Sequence, residues 1–179
     1  VWQQSGWHNK YKTVLPETMV EYAKDAASQY PNKRLVVHFI QPHHPFIGPT
    51  GREHFENENL KFWFYVITGD IDVDLDIVRE AYKENVELTL PHVEELIDNL
   101  QGKTIVTADH GELFGEQSYP FPIKEYGHPR HIYMENLLKV PWFVCEWDKR
   151  REINEGTREA VSNNVSEDIV EDRLRELGY

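Results

Sequence analysis

Short β-branched runs alternate along this chain with stretches that repeat at helical spacing, and that alternation leaves few architectures open to it. Leu35 to Ile40, Thr104 to Thr107 and Val140 to Cys145 read as strands of the buried type. Ahead of the first, Pro16 opens a helical pattern in which Met19, Val20, Ala23, Ala26, Ala27 and Tyr30 share a face, and Pro31 closes it. Asp76 to Leu100 repeats in the same way, with Ile77, Val78 and Ala81 early and Val93, Leu96, Ile97 and Leu100 late. Pro91 predicts a kink there, and Gly102 a stop. Phe62 to Ile67 fits either a strand or a short buried helix. Residues 41–60 read as a Pro/Gly/His loop and 112–135 as a long loop. Ser166 is a cap for a last helix, with Glu167 and Asp168 in its first turn. The alternation predicts an α/β fold, a three-layer sandwich on a mainly parallel sheet. One domain would cover 1–179, with 146–179 as a helical tail.

Composition narrows the class. The 179 residues are 40% hydrophobic and 12% aromatic, enough to bury one core. Net charge is −12 and no basic patch stands out, which argues against a nucleic-acid partner. An anionic substrate would have to be attracted locally, by a metal or a few cationic groups. The single cysteine, Cys145, excludes an internal disulfide and reads as a buried strand residue. The longest apolar run, Phe62 to Ile67, is too short for a membrane segment, and no signal peptide is visible. The residues leave the compartment open, with the cytoplasm favoured. The chain starts at Val1, within a stretch holding Trp2, Trp7 and Tyr11, and reads as part of a longer polypeptide.

Three loops carry residues with chemistry. Thr104 to Glu112 is an apolar run that ends in Asp109-His110-Gly111. An acid and an imidazole at the carboxyl end of a parallel strand stand where α/β proteins place ligands, and they are natural donors to zinc, manganese or a similar ion. Taken alone, the pair reads better as a turn with a capping Asp and a surface His. Gln41-Pro42-His43-His44-Pro45-Phe46 follows the Leu35 strand, and its prolines stiffen the backbone around two imidazoles. Those could bind a metal or donate to an oxyanion; taken alone, a proline-rich turn with solvent-exposed histidines explains them slightly better. Gly127-His128-Pro129-Arg130-His131 adds two imidazoles and a guanidinium, whose planar fork suits tetrahedral oxyanions. An ordinary surface loop is the alternative.

In this order, and together with Val140-Pro141, these strings resemble the C-terminal half of the sulfatase family in the alkaline phosphatase superfamily. The matching pieces are H-x-P-[YF] at His43 to Phe46, T-x-DHGE at Thr107 to Glu112, and Gly127-His128 followed by Glu135 and Val140-Pro141. The helical pattern with Tyr82 and Val86 through Leu100 stands where such proteins carry a long helix. The resemblance spans most of 14–145. It implies an alkaline-phosphatase-like fold, with Asp109 and His110 as ligands of a divalent metal ion (Ca, Mn or Zn). His43 and His128 would be catalytic and substrate-binding groups on a small sulfate or phosphate ester. Arg130 would help bind that substrate, and His131 competes with His128 for its role.

One departure matters. The family's nucleophile stands in C-x-P-x-R, or is a Thr or Ser in phosphatase-like relatives, and neither C-x-P-x-R nor S-x-P-x-R occurs here. The resemblance therefore implies that the nucleophile and half of the metal shell lie in a missing N-terminal part, and that this chain alone is inactive with poor metal affinity. Two other readings stay open: a phosphatase, phosphodiesterase or phosphoethanolamine-type transferase of the same superfamily, and a non-catalytic binding domain that kept the fold. Asp70-x-Asp72-x-Asp74-x-Asp76 lacks the Gly and Glu of a calcium loop, and Asp74 or Asp76 reads better as a helix cap. Asn164-Val-Ser166 fits a glycosylation acceptor, though Ser166 is better explained as a cap. His38 reads as a core histidine; His8, His54 and His92 read as surface.

Overall fold

A computed structural model describes residues 6–55 and 61–156. The chain is mixed α/β. In order, the elements are β1 (Trp7–His8), β2 (Thr13–Val14), α1 (Pro16–Gln29), α2 (Pro49–His54), α3 (Phe62–Thr68), α4 (Leu75–Asn99), β3 (Thr104–Thr107), β4 (Leu113–Gln117), β5 (Lys124–Gly127), α5 (Glu135–Leu138) and β6 (Trp142–Cys145). Among the described residues the ladders are three antiparallel pairs, β1–β2, β3–β6 and β4–β5. Phe62 to Thr68 resolves as helix. The stretch expected to be one long loop holds the β4–β5 hairpin, and α2 interrupts the earlier one. Ser166 and the expected last helix lie outside the described residues, as does Asn164; the described part of the tail, 146–156, is not helical.

Two long helices form the frame. Pro16 sits in the first turn of α1, where its missing N–H costs nothing. Asp74 caps α4, its carboxylate accepting from the amide of Asp76 at 2.9 Å. The helix then runs through Pro91 without a break. Val20 and Ala23 of α1 pack against Leu96 of α4, and Leu35, Val37 and Phe39 close over that seam. The segment 35–40 therefore has the period-two burial of a strand, yet it joins no ladder among the described residues, because β3 is paired with β6. Its other face is open: Val36 is 90% exposed. The same alternation in β3 leaves Ile105 exposed, and Cys145 is half-buried.

The second core is aromatic. Phe46, Phe62, Trp63, Val78 and Ala81 are buried together, with Phe55, Tyr82, Phe114 and Tyr126 around them. Edge-to-face contacts link the rings, Phe46 to Phe62 at 5.6 Å and Phe62 to Trp63 at 5.0 Å. His44 belongs to this core. Its ring stacks on Phe62 at 4.9 Å, and both of its nitrogens are buried without a hydrogen-bond partner. Burial, with the neighbouring His43 adding to it, pushes its pKa down to about 3.

The polar centre of α4 does the joining. Asn85, fully buried, accepts from the amide of Ile47 at 2.8 Å. Its amide group donates to the carbonyls of Pro42 (3.3 Å), His43 (3.2 Å) and Pro45 (3.0 Å). One side chain thus satisfies four backbone groups of a loop that has no ladder to satisfy them. Glu84, one residue earlier, accepts from the amide and hydroxyl of Thr50 at 2.8 and 2.7 Å and ties down the start of α2.

Asn85→Leu leaves those groups buried and unpaired, and should destabilise the chain by about 3 kcal/mol or more in urea unfolding. Asn85→Asp keeps the acceptor but sets a carboxylate against three carbonyls, so it should be no better tolerated. The His44 pKa lies below its unfolded value of 6.5, so below that pH the unfolded chain takes up a proton that the folded one refuses. Stability present above pH 6.5 is then lost, by about 1.4 kcal/mol per pH unit, as the pH falls towards 3. His44→Phe should flatten that slope in unfolding curves taken at several pH values; an unchanged slope would remove His44 as its cause.

Candidate functional site

Three loops deliver side chains to one place. The first is the loop that Asn85 holds, and it presents His43. The His43 ring nitrogen Nδ1 donates to the carbonyl of His44, which leaves Nε2 as the lone-pair nitrogen. Burial lowers the His43 pKa, against an opposing pull from the Glu112 carboxylate. The imidazole is therefore neutral at ordinary pH, the form that can donate a lone pair.

The second loop leaves the end of β3. Asp109 accepts from the amide of His110 at 3.0 Å, an arrangement that turns the chain sharply. His110 Nδ1 donates to the carbonyl of Gly111 at 2.8 Å, so its Nε2 also carries the lone pair. Gly111 is required sterically. Its amide donates to Leu137 at 2.9 Å, and a Cβ there would fall 1.9 Å from the carbonyl oxygen of Asn136, inside α5. The Thr107 hydroxyl donates to the Pro141 carbonyl at 2.7 Å and holds the strand end against the start of β6.

The third loop follows β5. Gly127 supplies clearance. It is buried with φ +69, and a Cβ would lie 2.8 Å from the Trp63 ring. That close approach puts His128 over the other histidines. Its ring is 4.4 Å from His110 and 5.1 Å from His43, centroid to centroid. His128 Nδ1 donates to a carboxylate oxygen of Glu112 at 3.2 Å, and both side chains are nearly buried. Carboxylate-to-imidazole pairs of this kind fix the ring and raise the basicity of the far nitrogen.

The cluster thus holds His43, His110, His128 and Glu112, with Asp109 at its rim. Donor atoms of His43, Glu112 and His128 all lie within 4.8 Å of one another. The Asp109 carboxylate is exposed, 3.8 Å from His110 Nε2 and 3.8 Å from His38 Nε2. Tyr82 flanks the acidic side. Burial first, then the charges of Glu112 and Asp109, raise its pKa to about 12, so its hydroxyl keeps its proton. Arg130 and His131 are exposed, and neither makes a hydrogen bond, ion pair or ring contact with the cluster among the described residues.

Two residues in or beside the cluster were not anticipated. Glu112 stood within the DHGE string without a role, since sequence does not reveal which imidazole a glutamate two residues on will reach. His38, expected in the core, is exposed beside Asp109. The signal was present: His38 is out of phase with Leu35, Val37 and Phe39, so it must face the opposite way.

Neutral imidazole nitrogens and carboxylate oxygens form a donor set suited to zinc or manganese, and the residues present fit such an ion. Each of the three imidazoles has its Nδ1 partner: the carbonyl of His44, the carbonyl of Gly111 and the carboxylate of Glu112. No family model, no curated protein and no solved structure matches this chain.

Proposed function

We propose that this chain carries one half of the catalytic site of a metal-dependent, sulfatase-like hydrolase acting on small sulfate or phosphate esters. The observation that carries the reading is the convergence of His43, His110 and His128, three imidazoles from loops far apart in sequence, on one acidic cluster. Three separate turns that merely carried surface histidines would have no reason to meet.

On this reading the segment 35–40 and β3 belong to a three-layer α/β sandwich with a mainly parallel, alkaline-phosphatase-like sheet. Support comes from α1 and α4, which cover one face of that segment, and from His43 and Asp109, which follow the ends of the two runs. Asp109 and His110 are proposed as metal ligands. Glu112 either completes the donor set with His43 and His128 or orients His128 for it; its 3.2 Å bond to His128 favours orientation. A divalent ion bound here would polarise the ester oxygens and lower the pKa of an attacking hydroxyl.

The chain's own residues would do the rest. His43 and His128, each neutral with its lone pair on Nε2, would contact the ester as general bases, taking the proton of the attacking hydroxyl and, once protonated, returning it to the leaving oxygen. Arg130, outside the cluster, leaves that contact to them. On the sulfatase reading the nucleophile stands in C-x-P-x-R, which does not occur among these 179 residues, so other polypeptide would supply it.

The test is hydrolysis of an aryl sulfate and an aryl phosphate by the intact protein. Asp109→Asn and His110→Ala should each abolish turnover, while Arg130→Ala should retain most of it. Wild-type rates in either of the first two variants would contradict the assignment. The preferred ester separates the sulfatase reading from a phosphatase one.

A further inference from the structure

The segment 35–40 and the β3–β6 pair have one open face in common. Leu35, Val37 and Phe39 lie on α1 and α4, so Arg34, Val36 and His38 look the other way. Both ends of 35–40 lie beside the matching ends of β3. Arg151 donates from Nε to the Pro31 carbonyl at 2.6 Å and lies against Gly102, while His38 Nε2 is 3.8 Å from Asp109. Ile105 and Thr107 alternate onto the side of Asp109, and the register with β6 sets Val144 and Trp142 opposite them on that side. The open face therefore carries Val36, Ile105, Val144 and Trp142, of which Val36 is 90% and Trp142 66% exposed. An apolar sheet face needs a layer packed on it.

The chain itself returns to this face. After β6, Asn154 donates its amide to the Asn32 carbonyl at 3.0 Å, and its own carbonyl accepts from Lys33 Nζ at 3.0 Å. A Cβ on Gly156 would collide with the Lys33 side chain. Gly156 is the last described residue, so residues 157–179 continue from the foot of the open face.

Their sequence matches that face in pattern, length and charge. Val170, Leu174 and Leu177 recur at i, i+4 and i+7 with Ile169 beside them, an apolar stripe backed by charged residues and preceded by the cap Ser166. At helical rise, residues 166–177 span about 18 Å. The strand from Lys33 to His38 spans about 17 Å. Residues 157–165 leave roughly 30 Å of linker to reach it. Glu167, Asp168, Glu171 and Asp172 stand early in the segment, and the face begins with Lys33 and Arg34. Arg34 is exposed and pairs with no acid among the described residues. Arg173 and Arg175 come later, towards the Asp109 end.

We propose that residues 166–177 dock through Ile169, Val170, Leu174 and Leu177 on the face formed by Val36, Ile105, Val144 and Trp142, and supply the helical layer opposite α1 and α4. That face ends at His38 and Asp109, so the docked segment walls one side of the rim of the histidine cluster. The contact stands whatever the cluster binds.

Hydrogen exchange on the 179-residue chain tests this. Amides of 167–177 should exchange at least about tenfold more slowly than in a free peptide of the same sequence. The double variant V36D/W142D should abolish that protection and, since both positions are largely exposed, should leave exchange in α4 unchanged. Leu174→Asp, made in the docking segment itself, should release the segment in the same way. Peptide-like exchange of 167–177 in the wild-type chain would overturn the proposal, as would protection that survives either change. Protection that fades on dilution would also overturn it, and would assign the face to a second copy of the chain.

Discussion

The arrangement of the site depends on one buried amide. The loop from Gln41 to Gly48 has no ladder to take its backbone groups, and a loop in that state is free to wander or to expose them to water. Asn85 resolves this from the middle of α4 by bonding four of them at once. The residue is costly in a helix interior and costly to bury, and both costs are offset only because every polar atom it has is used. His43 is attached to this clamp through its own carbonyl, and Gln41, two residues earlier, donates to the Val14 carbonyl at 3.1 Å. The imidazole is thereby presented from a loop held at both ends.

The other two loops are held by steric contact instead. Gly111 lies against the backbone of α5 and Gly127 against the indole of Trp63, each closer than any side chain would permit. Sequence reading sees such glycines as breakers or flexible joints. Here they let β-structure pass within contact distance of a helix, and so carry His110 and His128 to within 4.4 Å of each other. Three different devices, a buried amide and two close approaches, therefore serve one result.

That difference explains what was legible in the residues. Pro16, Asp74 and the helical repeats from 16 to 29 and 75 to 99 act locally, and the helices stand where they were expected. Phe62 to Thr68 was ambiguous because a short apolar run satisfies both periods; tertiary packing of Trp63 under β5 decided for helix. The β4–β5 hairpin was hidden because its turn has no Asn-Gly or Asp-Gly signal and its bend comes from a bulge at Gly115. Strand pairing is non-local, so neither the antiparallel β3–β6 ladder nor the unpaired state of 35–40 could be seen from composition. At the site, the histidines stood out by clustering, whereas Glu112, His38 and Asn85 gain their meaning only from partners 16 to 71 positions away, as in the bond from Glu112 to His128 and the approach of His38 to Asp109.

The central claim is that these imidazoles form a metal site and not a chance gathering. Anomalous scattering at the zinc edge from crystals grown with zinc tests it most directly. A single strong peak about 2.1 Å from His110 Nε2, with an Asp109 carboxylate oxygen or a second imidazole of the cluster beside it, is the predicted result. Zinc bound only at other histidines, such as His8 or His92, with no peak within the cluster, would contradict it.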